Sequence, residues 1–554
     1  MMKTRIKELL LESIKRAQEK GYLPVVEVPL AFSLERPPQE DYGDYATNVA
    51  FLLASRMGKK PSEVAEVLLK HLPSSKEVRE VQVAGQGYLN FFVEEAFWFS
   101  KVKEASALEE RYGRSEKRQK RVLIEFVSAN PTGPLHIGHG RIAAFGDALA
   151  RLLEWVGYDV EKEYYVNDVG TQMELLGKSV FARYMELKGK EYPFPEDGYR
   201  GGYIFDVARE LERRYGDELI AMSEEEALKV SKEVAEEVIM EWIREELSAF
   251  GVRFDRYVYE KDLYAQGKVE AVLRALHTKG FLYQQEGAVW FKSTAFGDEK
   301  DRVVIRASGT TTYFASDIAY HLDKFQRGYD LILDIWGADH HGYVKRLEAA
   351  VRSLGYDADR LKVILVQLVN LLRGGKRVSM STRAGEFTAL REVMEEVGVD
   401  ATRFFMLLRR AESPLDFDLE LAKAQSEENP VYYVQYAHAR ISSIFKKAQE
   451  RKIQVPNLAE VDLSPLRLPE ERSLAKMVGI FPEILEEAAQ NLEPHPLTVY
   501  LLSLAKAFHG YYNRHRVLGA EEGLLKARLA LIYAVKTVIK NGLYILGVKA
   551  PEEM

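Results

Sequence analysis

A strand, a tight loop and a helix follow one another between residues 122 and 153, and two histidines stand where the helix begins. The run Val122-Leu123-Ile124-Glu125-Phe126-Val127 is apolar but for one carboxylate. Ser128-Ala129-Asn130-Pro131-Thr132-Gly133-Pro134 reads as a turn. Ile142, Phe145, Leu149, Leu152 and Leu153 then recur at helical spacing. His136-Ile137-Gly138-His139 therefore falls at a helix N-terminus, where free N–H groups and partial positive charge suit a triphosphate. Gly138 lets a ligand approach the backbone. The imidazoles of His136 and His139 can donate hydrogen bonds to phosphate oxygens. Four residues alone are as readily chance or simple capping, and it is the strand-turn-helix setting that favours the nucleotide reading.

A chain of 554 residues implies three or four domains. It has no cysteine, which excludes disulfides and cysteine-ligated zinc. No apolar run approaches the ~18 residues a membrane helix needs. Ile6, Leu9, Leu10 and Ile14 make the first segment an amphipathic helix rather than a signal peptide. The expected compartment is the cytoplasm. A net charge of −7 argues against wholesale coating by nucleic acid, although 77 Lys and Arg leave room for a local basic groove.

Residues 1–110 read as a small α/β unit, with helices near 3–19 and 61–72 and strands at 25–28 and 88–93. Residues 105–120 are polar and charged and look like a linker. Residues 121–385 mix buried parallel strands, such as Leu331-Ile332-Leu333-Asp334-Ile335 and Val363-Ile364-Leu365-Val366, with helices. A helical insertion is expected around 170–300. Residues 386–428 connect to an all-α domain over 429–554, where Leu497, Tyr500, Leu501, Leu504, Phe508 and Tyr511 keep helical spacing. The fold class is multidomain, α/β followed by all-α.

A second polar, Gly-flanked loop is Val378-Ser379-Met380-Ser381-Thr382-Arg383-Ala384-Gly385, after Gly374-Gly375-Lys376-Arg377. Alone it reads as a solvated basic turn. Paired with the histidine tetrapeptide it resembles the second signature of class I aminoacyl-tRNA synthetases. The stretches from Ser128 to Gly140, Glu163 to Gly170, Trp336 to Tyr343 and Glu428 to Arg440 resemble arginyl-tRNA synthetases of bacterial type. Tyr42-Gly43-Asp44-Tyr45-Ala46-Thr47-Asn48 resembles that family's extra N-terminal domain. The resemblance spans essentially the whole chain.

That resemblance implies a Rossmann-like catalytic domain, an N-terminal domain touching the tRNA elbow and C-terminal helices on the anticodon arm. It implies arginine and ATP as substrates, Mg²⁺ with the ATP, tRNA(Arg) as acceptor and a monomer. His136, Gly138, His139, Gly337, Asp339, His340, Gln367, Met380 and Ser381 would bind ATP. Glu125, Asn130, His136, Tyr313, Asp317 and Asp339 would bind arginine. Several alternatives stay open from the residues themselves. Glu125 needs either a guanidinium ligand or a protein cation. Asp317 shares a helix face with Tyr313 or caps that helix. Asp339 faces arginine or the ATP ribose, and Gln367 lies near adenine or at the core edge. By the resemblance Tyr42 and Asn48 would contact tRNA, while Tyr432, Tyr436, Arg440, Tyr512 and Arg516 belong to stretches that interleave aromatic and basic groups and suit RNA or, for some, the core. Tyr512 and Arg516 are expected on one helix face.

One departure matters. The common bacterial loop is Lys-Met-Ser-Lys-Arg, and here both lysines are absent, as is the lysine that some relatives carry in the loop between Asn130 and His136, which here reads Pro131-Thr132-Gly133-Pro134. Losing a donor to transition-state charge costs roughly 3–4 kcal/mol. Lys376, Arg377 and Arg383 are the local replacements, with Lys376 or Arg383 expected on the pyrophosphate. An inactive tRNA-binding paralogue is the alternative; the intact tetrapeptide, Glu125, Tyr313 and Asp317 argue against it. A small-metabolite nucleotidyltransferase fits neither the length nor the helical C-terminus.

Overall fold

The computed structural model describes residues 1–25, 32–378 and 389–554. The N-terminal unit packs helices Met2–Glu19, Val49–Met57 and Pro61–His71 against a four-stranded antiparallel sheet. The strand expected at 25–28 lies outside the described residues from 26 onward.

The central sheet grows from β1 (Arg121–Glu125), α1 (Ile137–Trp155), β2 (Asp159–Val166), β3 (Arg256–Tyr259), α2 (Tyr313–Gln326), β4 (Leu331–Gly337) and β5 (Leu361–Val366). Four of the five β1 residues are buried, as a strand covered on both faces must be. The strands run parallel in the order β5-β4-β1-β2-β3. The chain steps outward from β1 on one side and later returns to β4 on the other. The crevice between the carboxyl ends of β1 and β4 is thus a topological switch point, where open α/β sheets bind ligands.

The expected helical insertion at 170–300 needs correction. Helices Thr171–Leu187, Tyr203–Tyr215, Glu218–Ala221 and Glu224–Ala249 form it, the last opened by a Ser223–Glu226 capping box. Residues 256–259, however, are β3 of the parallel sheet itself. Strands Leu282–Gln285, Ala288–Phe291 and Arg302–Ile305 then make a separate antiparallel sheet. The turn at Glu286 and Gly287 has positive φ at both residues, which a two-residue hairpin of this twist needs.

Beyond the sheet come β6 (Val369–Arg373), β7 (Lys376–Arg377), α3 (Val399–Met406) and β8 (Leu415–Asp418), with strand order β7-β6-β8. Four long helices close the chain: α4 (Pro430–Glu450), α5 (Pro469–Gln490), α6 (His495–Arg514) and α7 (Glu522–Ile545). Asn429 caps α4 and Pro430 occupies its first turn.

The stretch 105–120 is no loose linker. It begins inside the helix Glu95–Leu108. Tyr112 is fully buried against Phe481, and its hydroxyl donates to the Val478 carbonyl at 3.0 Å. Arg118 pairs with Glu486 at 2.5 Å, Tyr533 donates to Glu109 at 2.7 Å and Lys540 pairs with Glu110 at 2.7 Å. Its charges read as a solvated tether because their partners lie more than 350 residues away.

Candidate active site

The loop leaving β1 is strained. Val127 and Ser128 both have positive φ, at 69° and 41°. For a β-branched valine this conformation costs of order 1–3 kcal/mol and survives only where the surroundings over-determine it. Here Tyr165 donates its backbone N–H to Ser128 Oγ at 3.1 Å, and the Tyr164 hydroxyl donates to the Ala129 carbonyl at 2.8 Å. The strain turns the chain from the end of β1 back over the start of α1.

There His136 is the N-cap. Its Nδ1 accepts from the N–H groups of Gly138 and His139 at 3.1 and 3.4 Å, while His139 Nδ1 accepts from the His136 N–H at 3.3 Å. The histidines form a reciprocal capping box with stacked rings. An Nδ1 that accepts leaves the proton on Nε2, so a neutral ring here presents an Nε2–H donor. Burial pushes the His139 imidazole down to about 3. Burial also lowers His136, with the nearby Asp339 charge opposing it. Gly138 has a reason besides ligand approach: a Cβ there would lie 2.9 Å from the His136 ring. The backbone of His136 also bridges Ala389, and Leu390 donates to the Leu135 carbonyl at 2.9 Å.

A cavity of about 270 Å³ opens at the switch point. Glu125, Asn130, Tyr313, Asp317, Gly337 and His340 all line it. Of the two partners open to Glu125, a guanidinium ligand or a protein cation, the structure supplies the protein cation. Its Oε2 bonds the ammonium of fully buried Lys324, and its Oε1 accepts from Ser128 Oγ at 2.8 Å. Lys324 also meets Asp334 at 2.7 Å, and His321 Nε2 bonds the other Asp334 oxygen at 2.7 Å. Tyr313 and Asp317 do share a face of α2. Asp317 does not cap that helix, whose N-cap is Thr312. Instead Asp317 Oδ2 accepts from the Tyr343 hydroxyl. Burial raises its carboxyl, with the Tyr343 hydrogen bond opposing. Glu125 and Asp334 thus share the Lys324 ammonium, while Asp317 pairs with no cation among the described residues and feels Lys324 only through its field, which leaves the pocket electronegative.

Asn130 joins this cavity to a second, of about 350 Å³, lined by His136, His139, Gln172, Tyr199 and Tyr203. Asn130 Nδ2 donates to Gln172 Oε1 at 2.7 Å. Asp339 lines neither cavity; it is exposed, 3.5 Å from His340, and its field reaches His136. Gln367 is half-buried at the end of β5, its carbonyl held by Arg141 at 2.8 Å. Lys376 is exposed on β7. Met380, Ser381 and Arg383 lie outside the described residues.

Among the expected RNA-facing residues, α4 and α6 bring four together. Tyr432 stacks on Tyr436 at 5.8 Å, and the Arg440 guanidinium lies 4.4 Å from the Tyr436 ring and 4.8 Å from that of Tyr512. Arg516 does not share a helix face with Tyr512, because α6 ends at Arg514 and His515 is extended. Arg516 instead lends its carbonyl to Arg528 at 2.9 Å. In the N-terminal unit Tyr42 is exposed, while the Asn48 side chain accepts from the Ser33 N–H at 3.0 Å.

The sequence reading missed His321, Lys324, Asp334 and Tyr343, and also Glu260, which lines a small adjoining cavity with Asn130, Tyr313 and Asp317. Two signals were available. Asp317, His321 and Lys324 sit at i, i+4 and i+7 of one helix face. Asp334 is a second lone carboxylate in an apolar strand, directly across the sheet from Glu125.

Comparison with known proteins agrees with this architecture. Residues 4–93 match the arginyl tRNA synthetase N-terminal domain, 101–411 the class I tRNA synthetase (R) catalytic domain and 434–554 the DALR anticodon binding domain. The chain is 50% identical over 556 residues to an arginine–tRNA ligase of Citrifermentans bemidjiense and 47% identical over 555 to that of Syntrophotalea carbinolica, with all of each chain covered. The Thermus thermophilus arginyl-tRNA synthetase structure superposes with a TM-score of 0.80 at 26% identity, covering 100% of both chains. The chain belongs to the arginine–tRNA ligases, class I aminoacyl-tRNA synthetases that join L-arginine to tRNA(Arg) with ATP by way of arginyl-adenylate.

Proposed function

We propose that the 270 Å³ cavity receives the arginine side chain, and that the observation carrying this assignment is its surplus of buried carboxylate. Asp317 is the carboxylate left for the guanidinium, with Tyr313 beside it, because Glu125 is already engaged by Lys324. Glu125 and Asp334 act through Lys324, holding a negative field without contacting the ligand as a lone pair of acids. Asn130 and His136, at the junction of the two cavities, face the α-amino and carboxyl groups.

ATP lies along the amino end of α1. The Nε2–H groups of His136 and His139 donate to its phosphates, Gly138 leaves them room, and Gly337, His340 and Gln367 border the nucleoside. Asp339, exposed beside His340, faces either the arginine or the ATP ribose. Lys376 or Arg383 serves the pyrophosphate, and Met380 and Ser381 serve ATP. Mg²⁺ enters with the ATP, bound through its phosphates.

Residues 1–110 serve the tRNA elbow through Tyr42 and Asn48. Residues 429–554 serve the anticodon arm through Tyr432, Tyr436, Arg440, Tyr512 and Arg516, and 386–428 connect them to the catalytic domain at 121–385. The protein works as a cytoplasmic monomer. Among the described residues no helix is long and apolar enough to cross a membrane.

The test is charging of total tRNA with labelled arginine, lysine as control, beside Asp317→Asn. Arginine-specific charging that collapses in the variant supports the pocket assignment. Undiminished charging by Asp317→Asn overturns it.

A further inference from the structure

Arg141 stands one turn into α1, just past the histidines, and is 1% exposed. Among the described residues no carboxylate lies at ion-pair distance from it. Its guanidinium is spent on backbone carbonyls: Nη1 donates to Gln367 at 2.8 Å and Leu368 at 3.4 Å, and Nη2 to Arg410 at 3.0 Å. Burying a charge this way is expensive, and an apolar side chain of similar volume would pack at less cost. What an apolar side chain cannot do is hold three carbonyls from two segments at fixed distance from one helix.

Those segments matter. Gln367 and Leu368 form the turn between β5 and β6, and β6 pairs with β7, which carries Lys376 and Arg377. The turn is itself laced to the 410–415 segment, through Gln367 N–H to the Ala411 carbonyl at 2.8 Å and Leu415 N–H to the Leu368 carbonyl at 3.1 Å. Ala411 in turn donates to Glu493, which precedes α6, at 3.0 Å. Burial lowers the Arg141 guanidinium to about 10, with Glu493 opposing, so it stays charged at neutral pH.

We propose that Arg141 is a positioning residue that fixes the spacing between the histidine-bearing end of α1 and the β6–β7 pair that carries Lys376. It touches neither substrate. It sets whether donors on the two elements converge on the same phosphates, and a misplacement of 1 Å in such an arrangement can cost about 10²-fold in rate. The inference rests on the assignment of ATP to the α1 end.

The experiment is arginine-dependent ATP–pyrophosphate exchange with tRNA present, on Arg141→Met, Arg141→Lys and His139→Ala. For Arg141→Met, kcat falls about 30-fold or more while KM for arginine stays within twofold. Arg141→Lys keeps the charge but cannot span three carbonyls, so it regains only part of the rate. In a further variant, Arg141→Ala, assayed at saturating arginine so that the carboxylate pocket stays filled, added guanidinium in the millimolar range raises kcat, and it does not for His139→Ala. A kcat within twofold of wild type in folded Arg141→Met overturns the proposal; if that variant does not fold, an unimpaired kcat in Arg141→Lys does so. A loss confined to KM for arginine also overturns it. Should His139→Ala retain full kcat, the ATP assignment falls, whereas a crippled His139→Ala beside unimpaired Arg141 variants removes the Arg141 role alone.

Discussion

The His136 and His139 rings stack with centroids 3.6 Å apart, each accepting a backbone N–H that the other's position presents. Both acceptors being Nδ1, both Nε2–H groups are left to donate. Replacing either histidine by alanine therefore removes one preorganised donor. The expected loss in kcat for pyrophosphate exchange is about 10²–10³-fold, with little change in KM for arginine. Because burial holds His139 near 3, its ring is neutral from pH 5 to 8. Its NMR resonance stays flat across that range, and a midpoint above pH 6 would contradict the capping arrangement.

Tyr343 and Asp317 set a second expectation. The tyrosine hydroxyl opposes the rise that burial imposes on the Asp317 carboxyl. Arginine binds the ionised acid, so KM climbs as pH falls through its pKa. Tyr343→Phe removes the opposing hydrogen bond and moves that climb to higher pH. Asp317→Asn abolishes the dependence and raises KM on the order of 10²-fold, as loss of a buried ionic partner worth about 3 kcal/mol would. A KM profile for Tyr343→Phe that overlays wild type would dismiss the role given to this hydrogen bond.

The strand-turn-helix around His136 was legible because each piece is local: an apolar run, a Pro/Gly turn, a helical period. Tyr313 and Asp317 were legible for the same reason, being four apart. The partner of Glu125 was not. Lys324 is 199 residues away in sequence, and only the parallel pairing of β1 with β4 brings Glu125, Lys324 and Asp334 into one cluster. β3 was hidden as well, a four-residue strand between helices that pairs with β2 alone. Arg516 misled in the opposite way, since Tyr512 and Arg516 keep helical spacing past the point where α6 stops.

Glu260 offers a test through stability. It is 1% exposed and accepts from Ser316 Oγ at 2.7 Å, with the Asn167 amide nitrogen turned to donate at 2.7 Å. Burial, then the charges of Asp317 and Asp168, push its carboxyl up to about 7, with Ser316 opposing. An acid whose folded pKa is raised binds its proton more tightly in the native state. The folded chain therefore loses stability as pH rises from the unfolded value through about 7, by roughly 3 kcal/mol at about 1.4 kcal/mol per unit. Glu260→Gln mimics the neutral form. Its advantage over wild type in thermal melts is small at pH 5 and full above pH 8. A pH-independent difference would show that the acid does not titrate in this window.

Arg403 joins three parts of the chain with one guanidinium. It pairs with Asp147 of α1 at 2.7 Å and donates to the carbonyls of Phe250, after the insertion, at 3.0 Å and Leu546, after α7, at 3.1 Å. A Cβ at residue 547 would lie 2.1 Å from its Nη2, and Gly547 also has positive φ, so the chain can pass there only as glycine. Burial works against ionised Asp147, yet Arg403, Arg151 and Lys162 hold its carboxyl below the ordinary range. Arg403→Met leaves a buried carboxylate short of its closest cation and two carbonyls short of donors. The expected cost is about 3–5 kcal/mol in urea denaturation. Asp147→Asn alone strands the guanidinium and is also costly. The double variant Asp147→Asn with Arg403→Met removes both charges, so it costs less than the sum of the two singles. Strict additivity would mean that the two charges are not coupled and that the ion pair does not tie α1 to α3.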